Sequence, residues 1–416
     1  MKSLRVFFKN YLIGTITEDQ VGIGFQYSDS WLKFEKKFAI SHSLPLSSQF
    51  YLAEGEDFFG NLLPEGAVRD SLCKKLGISI DNDIALLERI GHECAGALVI
   101  TNEITSLIHK KEKKHQITEK DFTNLLGNST SVYSGLQDDM DFPFSLAGAQ
   151  DKIPVIFKNE KFYRPTSSEA STHILKFAQI RFKYVPENEL ICSLMLEAFG
   201  LPVPPARLVK LNSQYHFLVE RYDRDGKAQI RYHQEDFCQV LGVSRHKKYE
   251  AESGLKFKDI FTKLDSILDS INTTKDLDLL IRWQILNVFL GNCDGHLKNL
   301  SLLMDTDCNW SLAPFYDVVM TLIYPKVSKN LALSIGEQTE IGNLHRKHWK
   351  TFFTSLEVSS PFYIKQIKEM SEMLLPNFEN VRQYFISEYG FSPVLDLMEK
   401  QLIENIRRIN LGLRED

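Results

Sequence analysis

The chain lacks the cysteine patterns of a disulfide-stapled or zinc-binding fold. Its six cysteines include no CxxC pair, so neither a zinc knuckle nor a disulfide framework is predicted. We therefore expect reduced thiols and a cytoplasmic protein. Long hydrophobic runs are also absent: the most apolar stretches, 279–290 and 312–324, are shorter than the roughly 18 to 20 residues of a membrane helix. Charges interrupt every apolar run of the N-terminus, so we expect neither a membrane span nor a signal peptide.

The sequence also has no excess of one charge. Its 49 basic and 54 acidic residues give a formal net charge of -5, which excludes a general attraction to nucleic acid or to an anionic membrane. Repeats and low-complexity tracts are missing, and the 43% hydrophobic and 25% charged residues are typical of globular proteins. At roughly 150 residues per domain, the 416 residues predict two or three domains.

The residues that are present predict a strand-rich first half and a helix-rich second half. Periodicity and capping residues predict early helices after Pro64 and over 83–90, and a helix over 187–199. Apolar runs predict strands over the segments 4–8, 11–16, 153–157, 172–177, 203–211 and 215–222. Later helices are predicted over the segments 234–241, 256–268, 276–290, 361–375, 377–388 and 392–410.

The segment GNCDGHLKNLS, which follows the most apolar helix, is the most informative part of the sequence. Asp294 and Asn299 lie five residues apart, with His296 and Lys298 between them. The catalytic loop of protein kinases spaces its catalytic Asp and its metal-binding Asn in the same way. By itself this spacing is weak evidence for a catalytic loop, because surface loops often contain such pairs.

A second acidic residue follows at a suitable distance. Two apolar segments, 300–304 and 310–313, are joined by a polar turn and predict a hairpin that leads to Asp317. In kinases a hairpin after the catalytic loop carries the second metal-binding aspartate. The alternative is that Asp317 caps a following helix.

The first half supplies a candidate lysine. Lys176 is a charge on an otherwise apolar strand, and Glu189 lies thirteen residues later at the start of a helix. In kinases such a lysine reaches the ATP phosphates and pairs with a helix glutamate. The small residues of SLAGAQDK precede this strand, where a phosphate-covering loop belongs. The alternative for Lys176 is a surface lysine whose stem covers apolar residues.

Several motifs together resemble one family. FFGNLLPEG, GHECAGAL, SLAGAQDK, THILKF, VERYDR, GNCDGHLKNLS and PFYDV, in this order, resemble the HipA family of serine/threonine kinase toxins from bacterial toxin-antitoxin pairs. The resemblance extends from the first strands to at least Asp317. It implies an α+β, bilobal protein-kinase-like fold with an additional N-terminal strand-rich subdomain and a helical C-terminal lobe. The implied boundaries are 1–140 for the accessory subdomain, 141–225 for the kinase N-lobe and 226–416 for the C-lobe.

The resemblance also implies a role for each motif residue. Asp294 looks like the catalytic aspartate, with His296 and Lys298 beside it, and Asn299 and Asp317 look like ligands of Mg²⁺. ATP is the implied phosphoryl donor. The residues implied to bind it are Lys176 with Glu189, the hinge residues Glu220 and Tyr222 within 219–222, and the loop residues Ser145, Ala147, Gly148, Ala149, Gln150 and Lys152.

Regulation and partners are implied by the same resemblance. Ser145 resembles the serine that such kinases autophosphorylate, and a phosphate there would repel those of ATP. Asp151 departs from the family, in which Glu is usual. The implied partners are a protein substrate such as an aminoacyl-tRNA synthetase and a small helix-turn-helix antitoxin, through which operator DNA is chiefly contacted. Two rival hypotheses remain: a small-molecule phosphotransferase of the aminoglycoside type, and a degenerate kinase fold that serves as an antitoxin-bound corepressor.

Overall fold

The computed structural model describes residues 2–18, 22–102, 115–126, 150–166, 169–179, 181–227, 229–268 and 273–414. The chain forms two compact units, each assembled from separate segments. The first contains Met1–Ile180, Val209–His246 and Leu302–Asn309, and the second contains Arg181–Leu208, Lys247–Ser301 and Trp310–Asp416. The predicted boundaries at 140 and 225 stay a prediction. No helix in these described ranges is long and apolar enough to cross a bilayer.

Strands are concentrated before residue 240. Their bounds are β1 Ser3–Phe8, β2 Tyr11–Glu18, β3 Ile23–Tyr27, β4 Phe50–Tyr51, β5 Leu98–Thr101, β6 Gln116–Ile117, β7 Lys152–Lys158, β8 Lys161–Tyr163, β9 His173–Lys176, β10 Ala206–Leu211, β11 Gln214–Glu220, β12 Arg224–Asp225, β13 Ile230–Arg231, β14 His233–Asp236, β15 Ser301–Met304, β16 Trp310–Leu312, β17 Asn330–Ile335 and β18 Gln338–Glu340.

Helices dominate after residue 240. Their bounds are α1 Asp29–Leu32, α2 Ala53–Gly60, α3 Gly66–Leu76, α4 Asp83–Ile90, α5 Glu119–Leu126, α6 Val185–Ala198, α7 Phe237–Leu241, α8 Glu250–Ser253, α9 Phe257–Ile267, α10 Thr273–Leu290, α11 Arg346–Ser355, α12 Ser360–Tyr389 and α13 Val394–Gly412. The mixture of sheets and helices agrees with the predicted α+β class.

The N-terminal sheet has the strand order β4-β3-β2-β1-β5. The predicted hairpin is confirmed, since β1 and β2 pair antiparallel around Lys9-Asn10. The residue with positive φ is Lys9, at 53°, although the sequence favoured Asn10 for this conformation. Alternate residues such as Leu4 and Val6 are fully buried, so one face of the sheet forms the core of this region.

A second sheet has the strand order β10-β11-β9-β7-β8-β6. Its central strand, β9, is the predicted THILKF strand. It pairs antiparallel with β7 on one side and with β11 on the other. Lys176, near the end of β9, lies opposite Lys152 of β7 and Phe217 of β11. The sheet therefore places the candidate phosphate-binding lysine, Lys176, between Lys152 and Phe217.

The second unit is built around α10, which is buried along most of its length, as its apolar sequence predicted. One prediction about its neighbours was wrong: 361–375 and 377–388 belong to a single helix, α12, that continues through Pro376. A proline inside a helix removes one hydrogen bond. Leu374 and Phe378 are buried on either side of it, and α12 packs on α6, α11 and α13, which offsets that loss.

A smaller prediction was also wrong. The segment 234–241 was expected to be helical throughout, but its first residues belong to β14 and only Phe237–Leu241 is helical. Asp236 explains the change. Its side chain accepts a hydrogen bond from the backbone N–H of Gln239, and the Gln239 side-chain oxygen accepts one from the backbone N–H of Asp236. This capping box starts the helix after the strand.

Candidate active site

The candidate catalytic loop begins where α10 ends. Gly291 has φ of 65°, a conformation that glycine adopts without strain and that ends the helix. A Cβ atom there would lie 2.8 Å from Leu322 and 3.0 Å from Asn405. Asn405 of α13 donates a 2.9 Å hydrogen bond to the Phe289 carbonyl. The turn that leads into the loop is therefore held closely from two sides.

Asp294 is the exposed member of this loop. Its side chain is 51% exposed, whereas the neighbouring loop residues are buried. Its backbone N–H donates to the side-chain oxygen of Asn292 at 3.0 Å, and its Oδ1 accepts a hydrogen bond from the Tyr249 hydroxyl at 2.6 Å. The backbone is thus fixed while the carboxylate stays accessible to a substrate, as a general base requires.

Asn299 is tied to the same residue. Its side-chain N–H donates to the carbonyl oxygen of Asp294 at 2.8 Å, and its backbone N–H donates to His296 at 2.9 Å. The amide nitrogen is therefore bonded within the loop, so the amide oxygen is the atom that would bind a metal ion. Since Mg²⁺ prefers carboxylate and amide oxygens, this arrangement fits the predicted role of Asn299 as a metal ligand.

His296 and Lys298 are buried beside Asp294. The edge of the Tyr249 ring packs on the His296 ring, with the centroids 5.0 Å apart. His296 Nε2 lies 4.0 Å from Asp294 Oδ1. The Tyr316 hydroxyl donates to the Lys298 carbonyl at 2.8 Å. The loop is therefore braced by two tyrosines from outside the GNCDGHLKNLS segment.

Asp317 lies in a left-handed backbone conformation, with φ of 59°. Asp adopts this region more readily than most residues, and such strain concentrates at functional sites. The alternative that it caps a following helix is wrong. The next helical residues form a single 3-10 turn, Thr321–Ile323, whose N-cap is Met320. Its role as a metal ligand stays a prediction.

Asn299 and Asp317 would share Mg²⁺ with phosphate oxygens and water. The described residues contain no group of three or more His, Cys, Asp or Glu side chains suited to a metal ion. Such a group is not needed here, because Mg²⁺ at a nucleotide is usually held by one or two protein oxygens together with substrate phosphates.

The first unit holds the candidate ATP-binding lysine. Lys176 is 5% exposed, and its ammonium lies 5.6 Å from the centroid of the Phe217 ring. Lys152 is its cross-strand partner on the same face of the sheet. Lysine ammonium groups bind phosphate oxygens, so two lysines on one face of the sheet suit a site for phosphate groups.

The predicted hinge lies at the end of β11. Val219 pairs with Ile174, and Glu220 pairs with His173, where the ring nitrogen lies 3.9 Å from the Glu220 carboxylate. Glu220 is exposed and Tyr222 is half-buried. The pairing between β9 and β11 therefore ends at Glu220, within the predicted hinge.

The remaining predicted residues divide into two groups. Glu189 is buried in α6 of the second unit. Gln150 and Lys152 are described, but Ser145, Ala147, Gly148 and Ala149 lie outside the described residues.

Tyr249 was missed by sequence reasoning, because a lone tyrosine 45 residues before its partner carries no local signal.

Comparisons with known proteins agree with the sequence motifs. The family model described as the HipA-like C-terminal domain matches residues 144–378, and the HipA N-terminal domain matches residues 4–101. A Sinorhizobium fredii protein named as a kinase, Y4mE, is 36% identical over 89% of each chain. The serine/threonine-protein kinase toxin HipA of Shewanella oneidensis is 25% identical over 93% of each chain.

A solved structure shows the same fold. HipA of Shewanella oneidensis, in a complex with HipB and its operator DNA, superposes with a TM-score of 0.83 at 22% identity, covering 99% of this chain and 98% of the other. The predicted HipA-like fold is therefore confirmed. With more than half of its length matched by the family model and with the relatives above, the chain belongs to the HipA family of serine/threonine kinase toxins.

Proposed function

We propose that this protein transfers the γ-phosphoryl group of ATP to serine or threonine hydroxyls of a protein, and that it acts in the cytoplasm as the toxin of a toxin-antitoxin pair. The observation that carries the proposal is the geometry at Asp294. Its carboxylate is exposed, while its backbone carbonyl holds the amide nitrogen of Asn299. A base and an oxygen ligand are thus held by one loop, as phosphoryl transfer requires.

In the proposed reaction the substrate hydroxyl oxygen forms a bond to the γ-phosphorus of ATP, the bond to the β,γ-bridging oxygen breaks, and ADP leaves. Asp294 accepts the hydroxyl proton. Lys176 and Lys152 bind phosphate oxygens, and Lys298 neutralises charge on the phosphoryl group in transfer. Asn299 and Asp317 would hold Mg²⁺, which would neutralise charge on the phosphates. Lys176 and Lys152 belong to the first unit and the loop residues to the second, so their action in one reaction is part of the proposal.

The test is phosphotransfer by the full chain with radiolabelled ATP and Mg²⁺. Asp294→Asn keeps an oxygen that can accept the Tyr249 hydrogen bond but removes the base, so transfer should fall by about 10³-fold. Asp307→Asn, in the exposed turn of residues 305–309, is the matched control and should transfer at the wild-type rate. Equal rates for the three proteins would contradict the proposal.

The same assay separates the rival hypotheses. Label on proteins supports a protein kinase, whereas label on an aminoglycoside alone supports a small-molecule phosphotransferase. A wild-type protein that neither binds ATP nor transfers phosphate, yet still binds an antitoxin, supports a corepressor. Phosphoproteomics after brief induction of the wild type and of Asp294→Asn identifies the substrate, for which we propose an aminoacyl-tRNA synthetase.

Autophosphorylation at Ser145 is also part of the proposal. A phosphate there would add nearly two negative charges to the segment proposed to bind ATP, so it would silence the kinase. Mass spectrometry after incubation with Mg²⁺ and ATP should find phosphate on Ser145 in the wild type but not in Asp294→Asn. Unmodified Ser145 in both would refute self-silencing while leaving the kinase proposal intact.

The proposed partners are a small helix-turn-helix antitoxin and, chiefly through it, operator DNA. Support comes from the Shewanella oneidensis HipA, which was solved with HipB and operator DNA. The second unit also carries a groove of about 410 Å³ between α11 and α12, lined by Arg346, Lys350, Lys365 and Lys368 among others. Such a groove suits an anionic partner, despite the net charge of -5 for the whole chain.

A further inference from the structure

The first unit contains a cluster of charged side chains that the proposed reaction does not use. Glu93 lies in the 3-10 turn after α4, and the other members lie just after β11 and on β13. We call the group the buried charge cluster, and its members are Glu93, Arg221, Asp223, Arg224 and Arg231. All are at most 8% exposed except Arg231, whose side chain is 18% exposed.

Arg221 is the centre of the buried charge cluster. Its Nε and Nη2 donate to the two carboxylate oxygens of Asp223 at 2.9 and 2.7 Å. Its Nη1 donates to Glu93 at 3.3 Å and to the Ser171 hydroxyl at 3.1 Å, and Nη2 also reaches the Cys94 carbonyl at 3.1 Å. The guanidinium is thus fixed in position by contacts on both edges.

Glu93 links this guanidinium to the N-terminal region. One of its oxygens accepts from Arg231 at 2.9 Å, and the other accepts from the Ser171 hydroxyl at 2.8 Å as well as from Arg221. Burial alone would raise the pKa of Glu93, but the three arginines and the Ser171 hydroxyl outweigh burial and hold the pKa below its usual value. Glu93 is therefore ionised at neutral pH.

Arg221 is also part of the proposed adenine hinge. Its backbone N–H donates to the Thr172 carbonyl at 2.9 Å, next to the Glu220–His173 pair that ends the ladder between β9 and β11. Its side chain is buried in the cluster, while Glu220 on one side is exposed and Tyr222 on the other is half-buried. The direction of the hinge peptides thus depends on where the Arg221 side chain is anchored.

We propose that Glu93 is a positioning residue for ATP: by holding Arg221, it fixes the hinge 219–222 in the orientation that presents backbone groups to adenine. This inference rests on the proposed kinase function. Without the charge of Glu93, the cluster would contain three guanidinium groups and one carboxylate, that of Asp223, which contacts only Arg221 and Arg224 among them. Such an imbalance is relieved when an arginine moves towards water, and movement of Arg221 would carry the hinge with it.

The test is the affinity for ADP and the KM for ATP in Glu93→Gln, which keeps the shape of the side chain. We expect ADP binding, measured by calorimetry, to weaken about tenfold, and the KM for ATP to rise by a similar factor. Because Glu93 touches no reacting group, kcat at saturating ATP should stay within about twofold of the wild type.

Asp83→Asn is the matched control. Asp83 is also a buried carboxylate held by two arginines, Arg69 and Arg245, and none of its contacts reaches β9 or β11. Its loss should lower the melting temperature as Glu93→Gln does, but leave ADP affinity unchanged. If both variants weaken ADP binding equally, or if folded Glu93→Gln binds ADP as the wild type does, the inference is wrong.

Two further results keep the test decisive. If Glu93→Gln does not fold, Ser171→Ala, which removes one hydrogen bond to Glu93, should weaken ADP binding about threefold, and unchanged affinity would then overturn the inference. A wild-type protein that binds no nucleotide would instead refute the proposed kinase function, so the two failures are distinguishable.

Discussion

The hydroxyl of Tyr249 donates a 2.6 Å hydrogen bond to Oδ1 of Asp294, the proposed catalytic carboxylate. The backbone carbonyl of Lys248 accepts from the N–H of Leu297 at 3.2 Å, which holds the tyrosine segment against the loop. One carboxylate oxygen of the proposed base is therefore held by Tyr249. Tyr249 thus orients the base without being a base itself.

Replacing Tyr249 by Phe should lower kcat by about tenfold, because a hydrogen bond to a charged group is lost. The KM for ATP should stay constant, since Tyr249 is not among the proposed nucleotide-binding residues. Steady-state kinetics of the full chain measures both. Tyr363→Phe is the control, as it removes another Tyr–Asp hydrogen bond, of 3.1 Å, to Asp278 of α10. A kcat loss shared by the two variants would contradict an orienting role for Tyr249.

Because Asp317 has a φ of 59°, substitutions there can distinguish the effect of losing its charge on activity from the effect of its backbone conformation on stability. Asp317→Asn, Asp317→Gly and Asp317→Ala should all lose phosphotransfer by several orders of magnitude. Asn tolerates this conformation, whereas Ala should lower the free energy of unfolding by about 1 kcal/mol relative to Asn. Gly removes the same carboxylate as Ala but adopts the conformation freely, so it should be more stable than Ala. Chemical denaturation checks this order, and an Ala variant as stable as the other two would contradict it.

The pair of lysines on the second sheet predicts how strongly nucleotide stabilises the protein. Lys152→Met removes one of two lysines that lie opposite each other and that we propose to bind phosphate. The additional stabilisation by Mg²⁺ and ATP should therefore shrink, because one phosphate contact is lost. Thermal shift measurements with and without ligand test this effect. Lys158→Met is the matched control: it also removes one lysine of a cross-strand pair, with Lys161, but it is not among the proposed ATP-binding residues, so the stabilisation by ligand should stay at the wild-type value.

Glu93 predicts how stability depends on pH. Since its pKa in the folded protein is below its usual value of about 4.3, it contributes stability above that value and loses the contribution as pH falls through the folded pKa. The wild type should therefore lose melting temperature below about pH 4.3 more steeply than Glu93→Gln, which starts from a lower plateau. Parallel curves for the two proteins would show that Glu93 does not bear the folded-state charge.

Much of the fold and most of the motif positions could be predicted from the sequence. Strong periodicity gave α4 and α10 closely, and the THILKF strand was found where the lysine was expected. The break predicted at Pro376 was wrong because tertiary packing of α12 outweighs a local rule. Local sequence signals predict the type of an element well. Whether a helix continues through a proline depends instead on the helices packed against it, which the sequence alone does not identify.

The candidate site shows the same division. Asp294, Asn299 and Asp317 could be proposed as site residues because kinase-like chemistry fixes their spacing in one short region. Tyr249 and Glu93 could not be assigned, since each meets its partner, Asp294 or Arg221, only after folding. The motifs GHECAGAL and VERYDR carry the two ends of the Glu93–Arg221 contact, but as separate strings they give no hint that they meet.

The buried charge cluster also bears on modularity. The family models place Glu93 in an N-terminal domain that ends at residue 101, and Arg221 in a C-terminal domain that begins at residue 144. The two side chains nevertheless lie in contact within one buried ionic cluster. The border between the models is therefore a border in the sequence, not in the folding unit. A fragment that starts near residue 144 would leave Arg221 and Arg231 without the carboxylate of Glu93, so such a shortened chain should be less stable than the full chain rather than a minimal kinase.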